Sequence, residues 1–135
     1  MLSWATIRTG VATLLDTVTG VEPRATAKLG KADSVTATVI GGDPLIRPSA
    51  HQGKYEVRFI VRLKVAKAKL TESQDTIDAM IWPTGASSLI AAIYADSTIA
   101  GAVDDLVMQE VVNYEQTADS NQVQADINYL AMVTA

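Results

Sequence analysis

The stretch from Lys54 to Lys69 reads KYEVRFIVRLKVAKAK, and its alternation decides the fold. Tyr55, Val57, Phe59, Val61, Leu63 and Val65 share one parity; Glu56, Arg58, Arg62 and Lys64 share the other, interrupted only by Ile60 and Ala66. Period two sends successive side chains to opposite faces of a strand, so this strand has a dry face and a wet face. At about 3.3 Å per residue it extends about 45 Å, against a usual strand of about five or six residues. A strand that long outruns the needs of one small core, and contact with another subunit is the expected use of the excess.

Downstream, Leu106 to Thr117 and Gln122 to Thr134 are also long, β-prone and alternating, and Ala118-Asp119-Ser120-Asn121 supplies a turn between them, so the pair reads as a hairpin. Val123, Ala125, Ile127, Tyr129, Ala131 and Val133 form one parity of the last strand. The alternation breaks at Leu130 to Val133, which predicts cover on both sides at that end. Upstream, Val35 to Ile40 is a short Val- and Thr-rich run. Gly41-Gly42-Asp43-Pro44 is expected to end it, with Pro48 and Gly53 bounding a loop of about a dozen residues, a length typical of functional or mobile loops. Asp43, Leu45, Ile46 and Arg47 lie in this loop; its two apolar residues suit docking onto a partner or tucking over the sheet.

Three segments carry helical period. Trp4, Ile7, Val11, Leu14, Leu15 and Val18 recur at three- and four-residue steps over residues 3–19, with Ser3 as N-cap and Gly20 as C′ residue. Thr71-Glu72-Ser73-Gln74 fits a capping box ahead of Ile77, Met80 and Ile81, and Pro83 stops that helix. A shorter helix spans Ala86 to Ala95 with Leu89, Ile90 and Ile93 inward. The order α–β–β–α–α–β–β predicts one α+β domain over residues 1–135: a mostly antiparallel four-stranded sheet of long strands, packed against an N-terminal helix and a broken central helix pair.

The chain has no cysteine, which excludes disulfides and thiolate metal sites. No basic-then-apolar leader opens it and no apolar run is long enough for a membrane helix, so a soluble protein assembled in a cytoplasm is expected. Its formal charge of −4 conceals a polarity. All eleven Lys and Arg lie at or before Lys69, among five acidic residues, a net of +6; from Leu70 onward ten acidic residues stand with no basic one, a net of −10. The cations are spread without an Arg-rich cluster or interleaved aromatics, which disfavours specific nucleic-acid binding and favours contact between the two poles. Arg58, Arg62 and Lys64 on the wet face of the central strand, with Asp104, Asp105 and Glu110 as acidic counterparts, are either candidate intersubunit contacts or parts of a solvated sheet face whose pairs contribute little.

No catalytic constellation is legible. His51 is the only histidine and sits in the Gly/Pro loop, so neither a triad nor a histidine metal site can be built from the chain. Adjacent Asp104 and Asp105 point to opposite sides of an extended segment, a poor acid/base pair and a better turn cap. Gly41-Gly42-Asp43 fits neither phosphate-binding glycine pattern. Neither an enzyme nor a cofactor- or metal-binding protein is expected.

The N-terminal helix, the Val21-Glu22-Pro23-Arg24 turn, the long central strand, the helix broken near Trp82-Pro83 and the segment from Tyr94 to Leu106 together resemble the tail terminator proteins of long-tailed, siphovirus-type bacteriophages. In that family a segment of the form D-x-T-L-G-G-x-V-D-D-[VL] leads into a strand. Asp96, Thr98, Gly101, Val103, Asp104, Asp105 and Leu106 match it, Ile99 and Ala100 depart from it, and Tyr129 supplies the aromatic of the closing strand. The resemblance implies a structural virion protein of the tail neck, forming a hexameric ring on the head-proximal end of the tail tube. Such a ring stops tube polymerisation, joins the head-tail connector, and lets genomic DNA pass without specific binding. Its partners would be copies of itself, the tail-tube protein and the connector or stopper protein, with Asp43, Leu45, Ile46 and Arg47 as tube- or connector-contacting candidates. Another neck protein, such as a head-completion or stopper protein, and a tail-tube subunit are the alternatives.

Overall fold

The computed structural model describes residues 3–18, 22–24, 35–49, 53–67, 69–99, 101–117 and 122–134. Eight elements follow in chain order: α1 (Trp4–Leu15), β1 (Glu22–Arg24), β2 (Val35–Pro48), β3 (Lys54–Ala66), α2 (Leu70–Ile81), α3 (Leu89–Tyr94), β4 (Asp105–Thr117) and β5 (Gln122–Thr134). The strands make one sheet in the order β1-β2-β3-β5-β4. Four long strands pair antiparallel, as the alternation requires, and three-residue β1 adds in parallel to Thr36–Thr38 of β2. The Val-Glu-Pro-Arg segment thus contributes a strand at 22–24 where a turn was expected; Pro23 suits it, since a proline without an N–H is tolerated at a sheet edge.

The long central strand exists, but its length is used inside the protomer. Every residue from Lys54 to Ala66 has a partner on β5, from Thr134 to Gln122. On its dry face Val57, Phe59, Val61, Leu63 and Val65 are buried, as are Val123, Ala125, Ile127, Tyr129, Ala131 and Val133 of β5 and Val35, Ala37 and Val39 of β2. Ile7, Val11 and Leu15 of α1, Ile77 and Met80 of α2, and Leu89, Ile90 and Ile93 of α3 close the same core. Burying a side chain of this size contributes about 1.5–3 kcal/mol, so the contact of this single helix layer with one sheet face supplies the main favourable term for folding. The opposite sheet face has no helix on it among the described residues. There Leu130 and Met132 are half-buried, so the expected cover on both sides of the last strand is not found.

Three local expectations are corrected. The segment after Ile40 is strand: β2 runs on to Pro48, with its register on β3 jumping from Gly41↔Phe59 to Ile46↔Val57. Residues 42–45 therefore bulge opposite Arg58, and pairing continues as far as the Ser49 N–H, which donates to the Lys54 carbonyl at 3.0 Å, with Gly53 at φ 80°. Gly42 is required here, because a Cβ would lie 2.8 Å from Arg58 Cβ and 3.0 Å from its carbonyl oxygen. The expected capping box is absent: α2 starts at Leu70 with Lys69 as N-cap and no side-chain cap, and Ser73 Oγ instead accepts from the Lys67 N–H at 2.9 Å. The third helix is shorter than Ala86 to Ala95, because Ser88 caps it at Leu89 by accepting from the Ala91 N–H. Ser3 caps α1 as expected, accepting from the Thr6 N–H at 3.2 Å. Gly20, His51 and the turn at 118–121 lie outside the described residues.

Candidate functional site

The open face of the sheet gathers most of the charged residues singled out above. Cross-strand register sets out its rows: Thr36–Lys64–Gln124–Glu115, Thr38–Arg62–Asp126–Val112, Ile40–Ile60–Asn128–Glu110, then Arg58–Leu130–Val107 and Arg47–Glu56–Met132–Asp105. The basic column on β3 and the acidic column on β4 thus lie two strand spacings apart, about 10 Å, with polar β5 between them.

Within this face most charges are already engaged. Arg62 donates from Nε and Nη2 to Asp126 at 3.0 and 3.2 Å, and Asn113 Nδ2 donates to the same carboxylate at 2.9 Å. The hydrogen bond to Asp126 holds the Arg62 guanidinium above its usual pKa. Arg58 Nη1 donates to Gln109 Oε1 at 3.3 Å, and Asn128 Nδ2 donates to Glu110 Oε1 at 3.2 Å. Lys64 makes no ion pair among the described residues. Arg58 Nε and Asn128 Oδ1 are buried without a hydrogen-bond partner. Both belong to residues lining a depression of about 240 Å³ with Gly42, Asp43, Ile60, Gln109 and Glu110.

Asp104 and Asp105 serve the chain itself. Asp104 Oδ2 meets the Thr134 hydroxyl, its N–H donates to the Met132 carbonyl at 2.7 Å, and Asp105 Oδ1 accepts from the Leu106 N–H. The preceding residues form a tight loop: Asp96 Oδ1 accepts from the Thr98 N–H and hydroxyl, Val103 N–H donates to the Thr98 carbonyl, and Gly101 sits at φ 83°. Ile99 takes φ 50°, rare for a β-branched residue, while 1% exposed against Gly10 of α1.

The far end of β2 carries the remaining candidates. Asp43 is exposed, Leu45 packs partly onto the core, and Ile46 is 57% exposed. Arg47 Nε donates to Glu56 at 2.8 Å, a hydrogen bond that lowers the Glu56 pKa. Sequence reasoning missed the exposed apolar residues of the opposite edge, Val107 and Tyr114 on β4 and Tyr94 beside it; inward and outward parity is readable, but which strand lies at an edge is not.

The described residues present a polar sheet face and an acidic edge strand. Among the described residues no three His, Asp or Glu side chains group to hold a metal ion, and no helix is long and apolar enough to cross a membrane. The fold defines an α+β sheet protein whose described residues leave one sheet face open. No model of a known protein family matches the chain, and no curated protein sequence matches it.

Proposed function

We propose that this protein is a ring-forming tail terminator of a siphovirus-type bacteriophage, capping the head-proximal end of the tail tube and joining it to the head-tail connector. The observation that carries the reading is the loop from Asp96 to Leu106. The residues that match the family segment each have a definite task there: Asp96 and Thr98 close the turn, Gly101 takes the left-handed conformation, Val103 is buried, and Asp104 and Asp105 tie the loop to β5 and β4. The loop joins α3 to the edge strand, so the segment fixes how that edge is presented. Two further features suit the role. A protein with a net charge of −4 can line a passage through which DNA slides, because DNA affinity comes mainly from Lys and Arg contacts to phosphate. Lys64 on β3, which makes no ion pair among the described residues, and the acidic residues of β4 leave opposite charges on different strands, which suits a ring in which one patch meets a different patch on the next copy.

The test adds the purified protein to polymerising tail-tube subunits and measures tube length by electron microscopy, with gold-labelled protein to mark where it binds. Arrested growth with label at one tube end is the expected result. Label along the tube wall, incorporation as a tube subunit, or unchanged length would overturn the reading.

A further inference from the structure

Two register breaks fall at the same level of the sheet. β2 inserts residues 42–45 opposite Arg58, and β4 inserts Gln109 between the pairs Met108↔Tyr129 and Glu110↔Asn128, so both breaks abut the row Gly41–Phe59–Tyr129–Met108. A bulge re-aims the side chains around it. Between the two lies the depression of about 240 Å³, with Gly42 and Asp43 on one side, Gln109 and Glu110 on the other, and Arg58, Ile60 and Asn128 between them. The hydrogen bonds around it leave one donor and one acceptor over. Arg58 Nη1 donates to Gln109 Oε1, while Arg58 Nε is buried with no partner. Asn128 Nδ2 donates to Glu110 Oε1; a carboxylate only accepts, so this bond fixes which end of the amide is Oδ1, and Oδ1 too is buried with no partner. Arg58 pairs with Leu130, and Asn128 lies two residues along the same strand, a diagonal of about 7–8 Å between Cα atoms that one small group can bridge. A buried donor or acceptor without a partner costs free energy, and a ligand that supplies the partner recovers it. The bonds that restrain the two side chains, 3.3 and 3.2 Å, are at the long limit for an N–H···O contact, so turning either group toward the depression gives up little.

We propose that this depression binds a primary carboxamide, whose oxygen accepts from Arg58 Nε and whose N–H groups donate to Asn128 Oδ1 and to a carboxylate of the rim, Glu110 or Asp43. Charge selects the neutral group. Among the described residues that line the depression Arg58 is the one cation, and Asp43 and Glu110 are the anions. An incoming carboxylate meets two like charges and an ammonium meets Arg58, whereas an amide brings one acceptor and two donors with no net charge. The site goes beyond the terminator reading and does not depend on it. Its carboxamide belongs to a free small molecule or to an Asn or Gln side chain of a neighbouring protein.

The test titrates the isotope-labelled full chain with acetamide, acetate and methylammonium, small probes that differ in charge, and follows the N–H resonances by NMR. Acetamide is expected to give saturable shifts centred on the amides of Gly42, Arg58, Gln109, Glu110 and Asn128, including the Asn128 side chain, while acetate and methylammonium give none that saturate. Arg58→Lys keeps the charge and removes Nε, and is expected to weaken acetamide binding about tenfold or more. Lys64→Gln, on the same face but outside the depression, is expected to leave binding unchanged. The probe comparison is made on the unmodified protein, so it decides the matter even where the Arg58→Lys chain does not fold. Binding of N-acetyl-glutamine N-methylamide at least as tight as that of acetamide assigns the site to a protein side chain; its exclusion while acetamide binds assigns the site to a free amide. No saturable binding of acetamide would overturn the proposal and leave the two orphan atoms to water. Equal binding of acetate or methylammonium, shifts centred away from the depression, or binding indifferent to Arg58→Lys would also overturn it.

Discussion

Arg62 holds Asp126 across the β3–β5 ladder with two hydrogen bonds, and the pair is unequally buried: the carboxylate is 2% exposed and the guanidinium 38%. The two partners therefore fail differently when the other is removed. Without Arg62 the carboxylate is left buried with Asn113 as its hydrogen-bond donor; without the Asp126 charge, the guanidinium can turn to water.

Arg62→Ala is accordingly expected to lower the unfolding free energy by about 3 kcal/mol, and Asp126→Asn by about 1 kcal/mol. Urea denaturation of both variants checks the order. Equal losses, or the larger loss from Asp126→Asn, would contradict the asymmetry.

Tyr129 presents the opposite case, a buried polar atom whose removal helps. Its ring is fully buried and stacked on Phe59 at 5.1 Å between centroids, while its hydroxyl has no hydrogen-bond partner. Desolvation, with Tyr94 nearby, pushes its pKa far above the ordinary tyrosine value. Removing an unsatisfied hydroxyl with the shape kept is neutral to stabilising, so Tyr129→Phe is expected to gain up to about 1 kcal/mol. A fall in the melting temperature would show that the hydroxyl has a partner.

Gly10 lies in mid-helix because Ile99 occupies the space over it. A Cβ at position 10 would meet Ile99 Cγ2 at 2.4 Å, and the strained backbone of Ile99 leaves little room to yield. Although alanine is the better helix former, Gly10→Ala is expected to cost about 1–3 kcal/mol. Combining it with Ile99→Ala should recover part of that loss, and a double variant whose cost equals the sum of the singles would refute the contact.

Tyr114 gives the fold an alkaline limit. Partial burial and its hydrogen bond to Asp78 at 2.8 Å raise its pKa to about 12. An unfolded tyrosine ionises near about 10, so between about pH 10 and 12 the unfolded chain binds fewer protons and stability falls as pH rises. Tyr114→Phe is expected to show a shallower decline across that window than the parent, measured by denaturant midpoints. Parallel declines would count against the shift.

The strands were legible where one face is buried and the other wet, because a parity pattern is then written into every residue, as in β3 and β5. The bulge in β2 was not, since Gly41-Gly42-Asp43-Pro44 carries every local sign of a strand end, and only the pairing of Ile46 with Val57 carries the strand past it. β1 is too short to carry a period. Charge segregation along the chain was readable, but the partner of each charge was not: Arg62 pairs with Asp126, 64 residues away, because strand register brings them together. Asp104 and Asp105 bind their own loop and strand, a local role that their turn-forming residue type had suggested.

The most direct test of the central claim is the length of tails made by a phage deleted for this gene. The account predicts tube growth beyond the normal length and heads left unjoined, both reversed when the protein is supplied in trans. Tails of normal, uniform length attached to heads in its absence would contradict it.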